Sequence, residues 1–336
     1  RSSAIRLCKE IDRLITRDSD GLLSVDRVYP ITFRRCLGDV PFGPSLTARA
    51  LVKSSRSQII VLSGQAGQGK TTTVRHLAWL LSKPFVSADY TMQSKDSLSP
   101  DYPVLIPAWL CRRGLLRPIA SRLTPAGQRA FRNDQCEKLL ARGTWLILID
   151  GYDDLLDPRR CLEDIELLTS RNNSLRIVIS VRSSIAPSLH IPNEHFMADD
   201  IPWQKDAAPF LAKYGVPRTL AKRHVDALQS NDSHQILTNP LLLWGVALLL
   251  RRNESSQIPS APGALLESVV QNHLLFKWEQ LKERRHVWSE IEQDDIRNGL
   301  SHLSHWMIAN NQIVDVRDDI TKAVIAAATA RVITPK

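Results

Sequence analysis

The run Gly64-Gln65-Ala66-Gly67-Gln68-Gly69-Lys70-Thr71 places glycines, a lysine and a threonine in the order G-x-x-x-x-G-K-T. That order suits one kind of chemistry, the cradling of phosphate oxygens. The glycines let the main chain curl so that its N–H groups point inward at an anion. The lysine reaches the outer phosphates, and the threonine hydroxyl is a hard oxygen ligand for Mg²⁺. Gly64, Gly67, Gln68, Gly69, Lys70, Thr71 and Thr72 are therefore the candidate nucleotide-binding residues of this P-loop.

A second group of residues completes such a site. Trp145-Leu146-Ile147-Leu148-Ile149-Asp150 is an apolar run ending in a carboxylate. This Walker B pattern makes Asp150 the second candidate metal ligand beside Thr71. Its strand is expected to lie next to the strand of the P-loop. After Asp150 come Gly151, Tyr152, Asp153 and Asp154. A carboxylate is needed to orient or activate an attacking water; Asp153 is the first choice for it and Asp154 the second. The competing reading is that both acids cap the following helix or face solvent. Arg176-Ile177-Val178-Ile179-Ser180-Val181-Arg182 is a further apolar run, ending in an arginine. Arg182 is a candidate γ-phosphate sensor, or else a solvated strand end.

These side chains need a frame. Ile59–Leu62, Val104–Trp109, Trp145–Ile149 and Arg176–Val181 read as strands without clean alternation, as expected of parallel strands buried on both faces. Thr71–Leu81, Ala126–Ala141 and Arg159–Ser170 read as intervening helices. Val28–Phe33 reads as extended, Ser45–Val52 as a short helix, and Ser2–Ile15 as an amphipathic one. The polar stretch Ser87–Tyr102 reads as a loop. Beyond Ile201 the pattern turns helical, at Ala208–Tyr214, Arg218–Gln229 and Pro240–Arg251. After a Pro/Ser-rich hinge at Asn253–Gly263, helices return at Ala264–Glu283, Ser289–Asn310 and Ile320–Ala330. The fold class is α/β, a P-loop parallel sheet sandwiched by helices, followed by an all-α region.

Composition narrows the function classes. The longest apolar run, near Leu241–Leu250, is too short for a membrane span. Cys8, Cys36, Cys111, Cys136 and Cys161 are scattered and odd in number, which fits reduced thiols in a cytoplasmic protein and disfavours a disulfide framework or a zinc site. His302 and His305, one helical turn apart, read as a helix face. The formal net charge of +9 suits an anionic partner, yet the arginine pairs are dispersed and no basic stripe is interleaved with aromatics. The chain opens on Arg1 with no signal-peptide pattern, as a piece of a longer polypeptide or a trimmed chain would. No Asn-Lys-x-Asp sequence is present to read a guanine base.

Taken together, GQAGQGKT, LILIDGYDD, VISVRSS and TNPLLLWGVALLL resemble the NACHT group of STAND P-loop NTPases, signal-transducing ATPases of innate immunity, programmed cell death and bacterial antiphage defence. Gly151 followed by an acidic pair is the most particular mark. The resemblance runs from about Tyr29 to the end of the chain. It implies ATP/ADP and Mg²⁺ as cofactors, with Asp150 organising Mg²⁺, Asp153 supporting hydrolysis and Arg182 as first sensor. It also implies that Pro240 packs near the adenine and that a winged-helix-like region begins near Pro259. The implied organisation is a lead at 1–47, a nucleotide-binding domain at 48–200, a helical domain at 201–258 and the winged-helix-like part at 259–336. Implied partners are other copies of the chain, effector and sensor domains outside it, and a trigger such as a phage protein or nucleic acid. The sequence departs from the family at Asp154, where glutamate is usual, and at Ser183, where proline often follows the sensor arginine. The competing class is an AAA+-like ATPase acting on nucleic acid. Gly151 argues against it, because those enzymes place glutamate there.

Overall fold

A computed structural model describes residues 28–37, 40–86, 102–124, 132–141, 144–155, 157–183, 193–231, 233–253 and 256–269. The four apolar runs form strands β3 (Ile59–Gly64), β4 (Tyr102–Pro107), β5 (Trp145–Asp150) and β6 (Arg176–Arg182). All six residues of β3 are buried, as are the first five of β5. Burial on both faces explains why these strands read as unbroken apolar runs.

Three further strands extend the sheet. β1 (Thr32–Leu37), β2 (Val40–Thr47) and β7 (Asn193–Ala198) bring it to seven, in the order β2-β1-β7-β3-β6-β5-β4. The block from β7 to β4 is parallel, and β1 pairs antiparallel with both β7 and β2. This order corrects one expectation: β5 does not lie beside β3. Strand β6 sits between them, paired with β3 from Ile59↔Ile177 to Gly64↔Arg182 and with β5 on its other side.

Helices cover the sheet. α1 (Ala48–Ser54), α2 (Lys70–Val86), α3 (Leu116–Leu123), α4 (Asn133–Leu140) and α5 (Arg159–Arg171) contribute Leu51, Leu77, Ile119, Leu140 and Ile165 to the core shared with the strands. Several boundaries differ from the sequence reading, each for a local reason. The helix expected at Ser45–Val52 starts later, because β2 runs to Thr47 and the Thr47 hydroxyl accepts from the Ala50 N–H. β4 stops at Pro107 and passes into a 3₁₀ turn at Ala108–Cys111 instead of reaching Trp109. α4 begins at Asn133, with the Gln135 side chain accepting from the Arg132 N–H. α3 was not anticipated. Its first N–H groups are satisfied by a distant residue, Asp164, whose Oδ2 accepts from Leu115 at 2.5 Å and from Leu116 at 3.1 Å.

After β7 the chain is helical: α6 (Trp203–Lys213), α7 (Arg218–Ser230), α8 (His234–Thr238), α9 (Pro240–Arg252) and α10 (Pro262–Val269). Prolines stand at or just before four of these starts, where a missing N–H costs nothing. The chain divides into two compact units, 1–247 and 248–336, so α6 to α8 fall in the same unit as the sheet. The expected helices at Ser2–Ile15, Ser289–Asn310 and Ile320–Ala330, and the winged-helix-like part beyond Val269, lie outside the described residues, as do His302, His305 and Cys8. Among the described residues, no helix is long and apolar enough to cross a membrane.

Candidate nucleotide site

The P-loop joins the buried end of β3 to the N-terminus of α2, whose first residue is Lys70. The unpaired N–H groups and dipole of that helix end favour an anion. Lys70 Nζ donates to the loop carbonyls of Gly64 at 2.6 Å and Gln65 at 2.8 Å. Burial pushes its ammonium below the usual lysine range, opposed by Asp153, reinforced by Arg182 and opposed again by Asp150.

The Gln68 side chain turns away from the phosphate side of the loop. It is buried, with Oε1 accepting from the Gln65 N–H at 2.6 Å and Nε2 donating to Asp200 Oδ1 at 2.9 Å. Its main-chain N–H also donates within the loop, to Gln65 O at 3.4 Å.

Thr71 and Asp150 meet, the Thr71 hydroxyl donating to Asp150 Oδ1 at 2.9 Å. Two adjacent hard oxygens at the mouth of the loop fit Mg²⁺, which takes few protein ligands and completes its shell with water and phosphate oxygens. Among the described residues, no cluster of three or more His, Cys, Asp or Glu could hold a metal. When bound, Mg²⁺ would neutralise phosphate charge between these two side chains. A residue the sequence reading passed over fixes the carboxylate. Ser180, fully buried on β6, donates to Asp150 Oδ1 at 3.0 Å, and its hydroxyl accepts from the Gly151 N–H at 2.9 Å.

Gly151 has φ +75° and ψ +50° and starts a 3₁₀ turn over Tyr152–Asp154. A residue with a side chain there costs about 1–2 kcal/mol, so the glycine serves the turn that lifts Asp153 toward β6. Asp153 and Arg182 come together there. Asp153 Oδ1 accepts from the Arg182 main-chain N–H at 3.1 Å, and Oδ2 pairs with Arg182 Nε at 2.8 Å. The Asp153 side chain is 6% exposed and that of Arg182 34%. For Asp154 only the backbone lies within the described residues. Arg182 pairs in register with Gly64, so the intervening β6 is what delivers the arginine to the P-loop's edge.

Beside the loop is a cleft of about 340 Å³ lined by Gly67, Gly69, Lys70, Thr71 and Thr72 on one side, and by Tyr29, Ile31, Phe210, Tyr214, Pro240, Leu241 and Trp244 on the other. Pro240 is thus placed beside the loop glycines. The aromatic residues form a chain, with Tyr29 and Phe210 centroids 5.3 Å apart and Phe210 and Tyr214 4.8 Å apart. Burial, together with the charge of Asp206 and its hydrogen bond, pushes the Tyr29 hydroxyl up to about 12. An apolar aromatic wall next to a phosphate loop suits a flat base joined to a polyphosphate. Tyr29, Phe210, Tyr214 and Trp244 went unnoticed as a wall in the sequence, because isolated aromatics read as core.

Residues 52–189 match the family model for an AAA domain. No curated protein sequence matches the chain. Solved structures that match part of the chain include a Signal Transduction ATPase with Numerous Domains (STAND) protein with a tetratricopeptide repeat sensor from Pyrococcus horikoshii. It is 16% identical, with 63% of this chain and 30% of that one covered and a TM-score of 0.36. Another is PCH-2 of C. elegans, 19% identical, with 64% and 61% covered and a TM-score of 0.32. The matched part of the chain therefore spans less than two thirds of either protein. Residues 52–189 thus resemble an AAA domain and carry a P-loop within a mostly parallel α/β sheet, an arrangement that supports nucleotide binding.

Proposed function

We propose that this chain is a nucleotide-operated switch of the NACHT/STAND kind. It binds ATP or ADP with Mg²⁺, hydrolyses ATP slowly, and couples the nucleotide to self-association in cytoplasmic innate immune or antiphage signalling. The observation that carries this reading is the Asp150–Gly151 junction. The position after the metal aspartate is held by a left-handed glycine, where a rapidly cycling AAA+ enzyme would carry a catalytic glutamate.

In this reading Lys70, the loop main chain and Thr72 hold the phosphates, Thr71 and Asp150 hold Mg²⁺, and the base lies against Pro240 and the aromatic wall. Arg182 senses the γ-phosphate. With both Asp153 oxygens engaged by Arg182, Asp153 supports hydrolysis by holding that arginine and is not free to take a proton from water, which leaves Asp154 as the second candidate for that role. Slow turnover follows. Effector and sensor domains outside this chain, and a trigger such as a phage protein or nucleic acid, complete the pathway.

A ligand shifts a conformational population only through differential affinity for the two states. Mass photometry with the trigger present should therefore give larger assemblies in ATP and small ones in ADP. Identical mass distributions in the two nucleotides would remove the switch. The second reading, an AAA+-like ATPase acting on nucleic acid, is favoured by the +9 charge and predicts ATP turnover stimulated by DNA or RNA.

A further inference from the structure

Two carbonyls of the P-loop are held from outside the loop. The Leu241 N–H donates to Gly67 O at 3.1 Å, and Asn239 Nδ2 donates to Ala66 O at 3.3 Å. The other end of the same amide works on α9: Asn239 Oδ1 accepts from the N–H of Leu241 at 2.9 Å and of Leu242 at 3.4 Å. One side chain thus caps a helix and grips a loop that lies 173 residues away in sequence. The approach is close. A Cβ on Gly67 would stand 2.9 Å from Asn239 Oδ1 and 3.0 Å from Leu241 Cβ, and Gly67 has φ +79°.

We infer that Asn239 is a positioning residue that couples the phosphate-binding loop to the first turns of α9. The reason is the planarity of the peptide bond. The Ala66 carbonyl and the Gly67 N–H belong to one rigid plane, and the Gly67 carbonyl and the Gln68 N–H to the next. A phosphate oxygen that takes the Gly67 N–H, or draws the Gln68 N–H off its 3.4 Å bond to Gln65 O, turns the carbonyl on the far edge of that plane. Those carbonyls are the two that Asn239 and Leu241 hold. Phosphate binding on one side of the loop is therefore read on the other side as tightening or release of the α9 N-terminus. Pro240 lies between these contacts and lines the cleft, so base and phosphate both bear on one helix start. This coupling rests on the nucleotide-binding reading above.

Asn239→Asp separates the two tasks of the side chain. Aspartate caps a helix about as well as asparagine, but it has no Nδ2 to donate and sets an oxygen against Ala66 O. The experiment measures ADP·Mg²⁺ binding and amide hydrogen exchange over residues 240–247, with and without ADP, in the whole chain. In the wild type, ADP should slow exchange over the first turns of α9. In Asn239→Asp, the ligand-free melting temperature should stay near the wild type. ADP affinity should fall roughly three- to tenfold, as for the loss of one hydrogen bond, and the ADP-dependent protection of α9 should vanish. Asn239→Ser, which keeps a short capping oxygen without the amide donor, should behave the same way. Wild-type affinity and wild-type α9 protection in both variants would overturn the coupling while leaving nucleotide binding intact. Absence of ADP binding in the wild type would remove the nucleotide reading and the coupling with it.

Discussion

Asp153 gives both of its carboxylate oxygens to a single residue, Oδ1 to the main-chain N–H of Arg182 and Oδ2 to its Nε at 2.8 Å. The contact links the turn after β5 to the end of β6, at the place where Arg182 runs in register with Gly64. If Asp153 acts through Arg182, the two substitutions are not independent. The double variant Asp153→Asn/Arg182→Ala should lose no more ATPase kcat than the worse of the two singles, because neighbours sharing one interaction are non-additive. Fully additive losses in steady-state hydrolysis would instead give Asp153 its own part in moving a proton.

Lys70→Ala removes the charge proposed to reach the outer phosphates. Wild-type protein at ADP·Mg²⁺ about a hundredfold above its Kd should gain about 2.7 kcal/mol of stability, seen as a rise in melting temperature. The variant should show no such rise. A persistent shift in Lys70→Ala would place the nucleotide elsewhere.

Ser180 is buried, donating to Asp150 and accepting from the Gly151 N–H. Ser180→Ala leaves that N–H without its acceptor and should cost about 1–3 kcal/mol of folding stability in urea titration. It should also raise the Mg²⁺ concentration needed for nucleotide binding, since Asp150 loses its brace. A variant with an unchanged Mg²⁺ requirement would limit Ser180 to a structural role.

Gly151→Ala tests the left-handed turn. The new Cβ at φ +75° should destabilise the protein by about 1–2 kcal/mol. It should also lower hydrolysis more than ADP binding, because the turn aims Asp153 at Arg182. Equal losses of binding and hydrolysis would contradict that division.

Tyr29 gives a pH signature. Its hydroxyl is pushed from 10.0 to about 12 by burial and Asp206. A raised folded-state value means that the folded protein holds this proton more tightly than the unfolded chain. The stabilising contribution is complete below pH 10 and is lost as the pH climbs from about 10 to 12. Cys136, also pushed up to about 12 by burial and then by Glu137, adds in the same window. The urea midpoint should therefore fall between pH 9.5 and about 11.5, and fall less steeply in Tyr29→Phe. The same slope in both proteins would show that the Tyr29 hydroxyl is not pushed up in the folded protein.

The sequence by itself determined the local machinery. Backbone needs and burial leave direct marks in residue types, so the P-loop between β3 and α2, the Asp150 that ends β5 and the Arg182 that ends β6 were legible from spacing alone. The glycine at 151 stood out as well, although its backbone reason, a left-handed turn, was not visible. Less of the frame could be read. β1, β2 and β7 carry exposed and polar residues that give no apolar run, and α3 takes its cap from Asp164, 48 residues away from Leu116. Only the tertiary structure decided which strands are neighbours. Parallel strands buried on both faces all read as the same Val/Ile/Leu run, and the main-chain hydrogen bonds that pair them do not depend on side-chain identity. The insertion of β6 between β3 and β5, which brings Ser180 to Asp150 and Arg182 to Asp153, therefore had no signature along the chain. The same holds for the grip of Asn239 on the P-loop, since a capping asparagine before a proline looks identical whether or not a distant carbonyl lies within its reach.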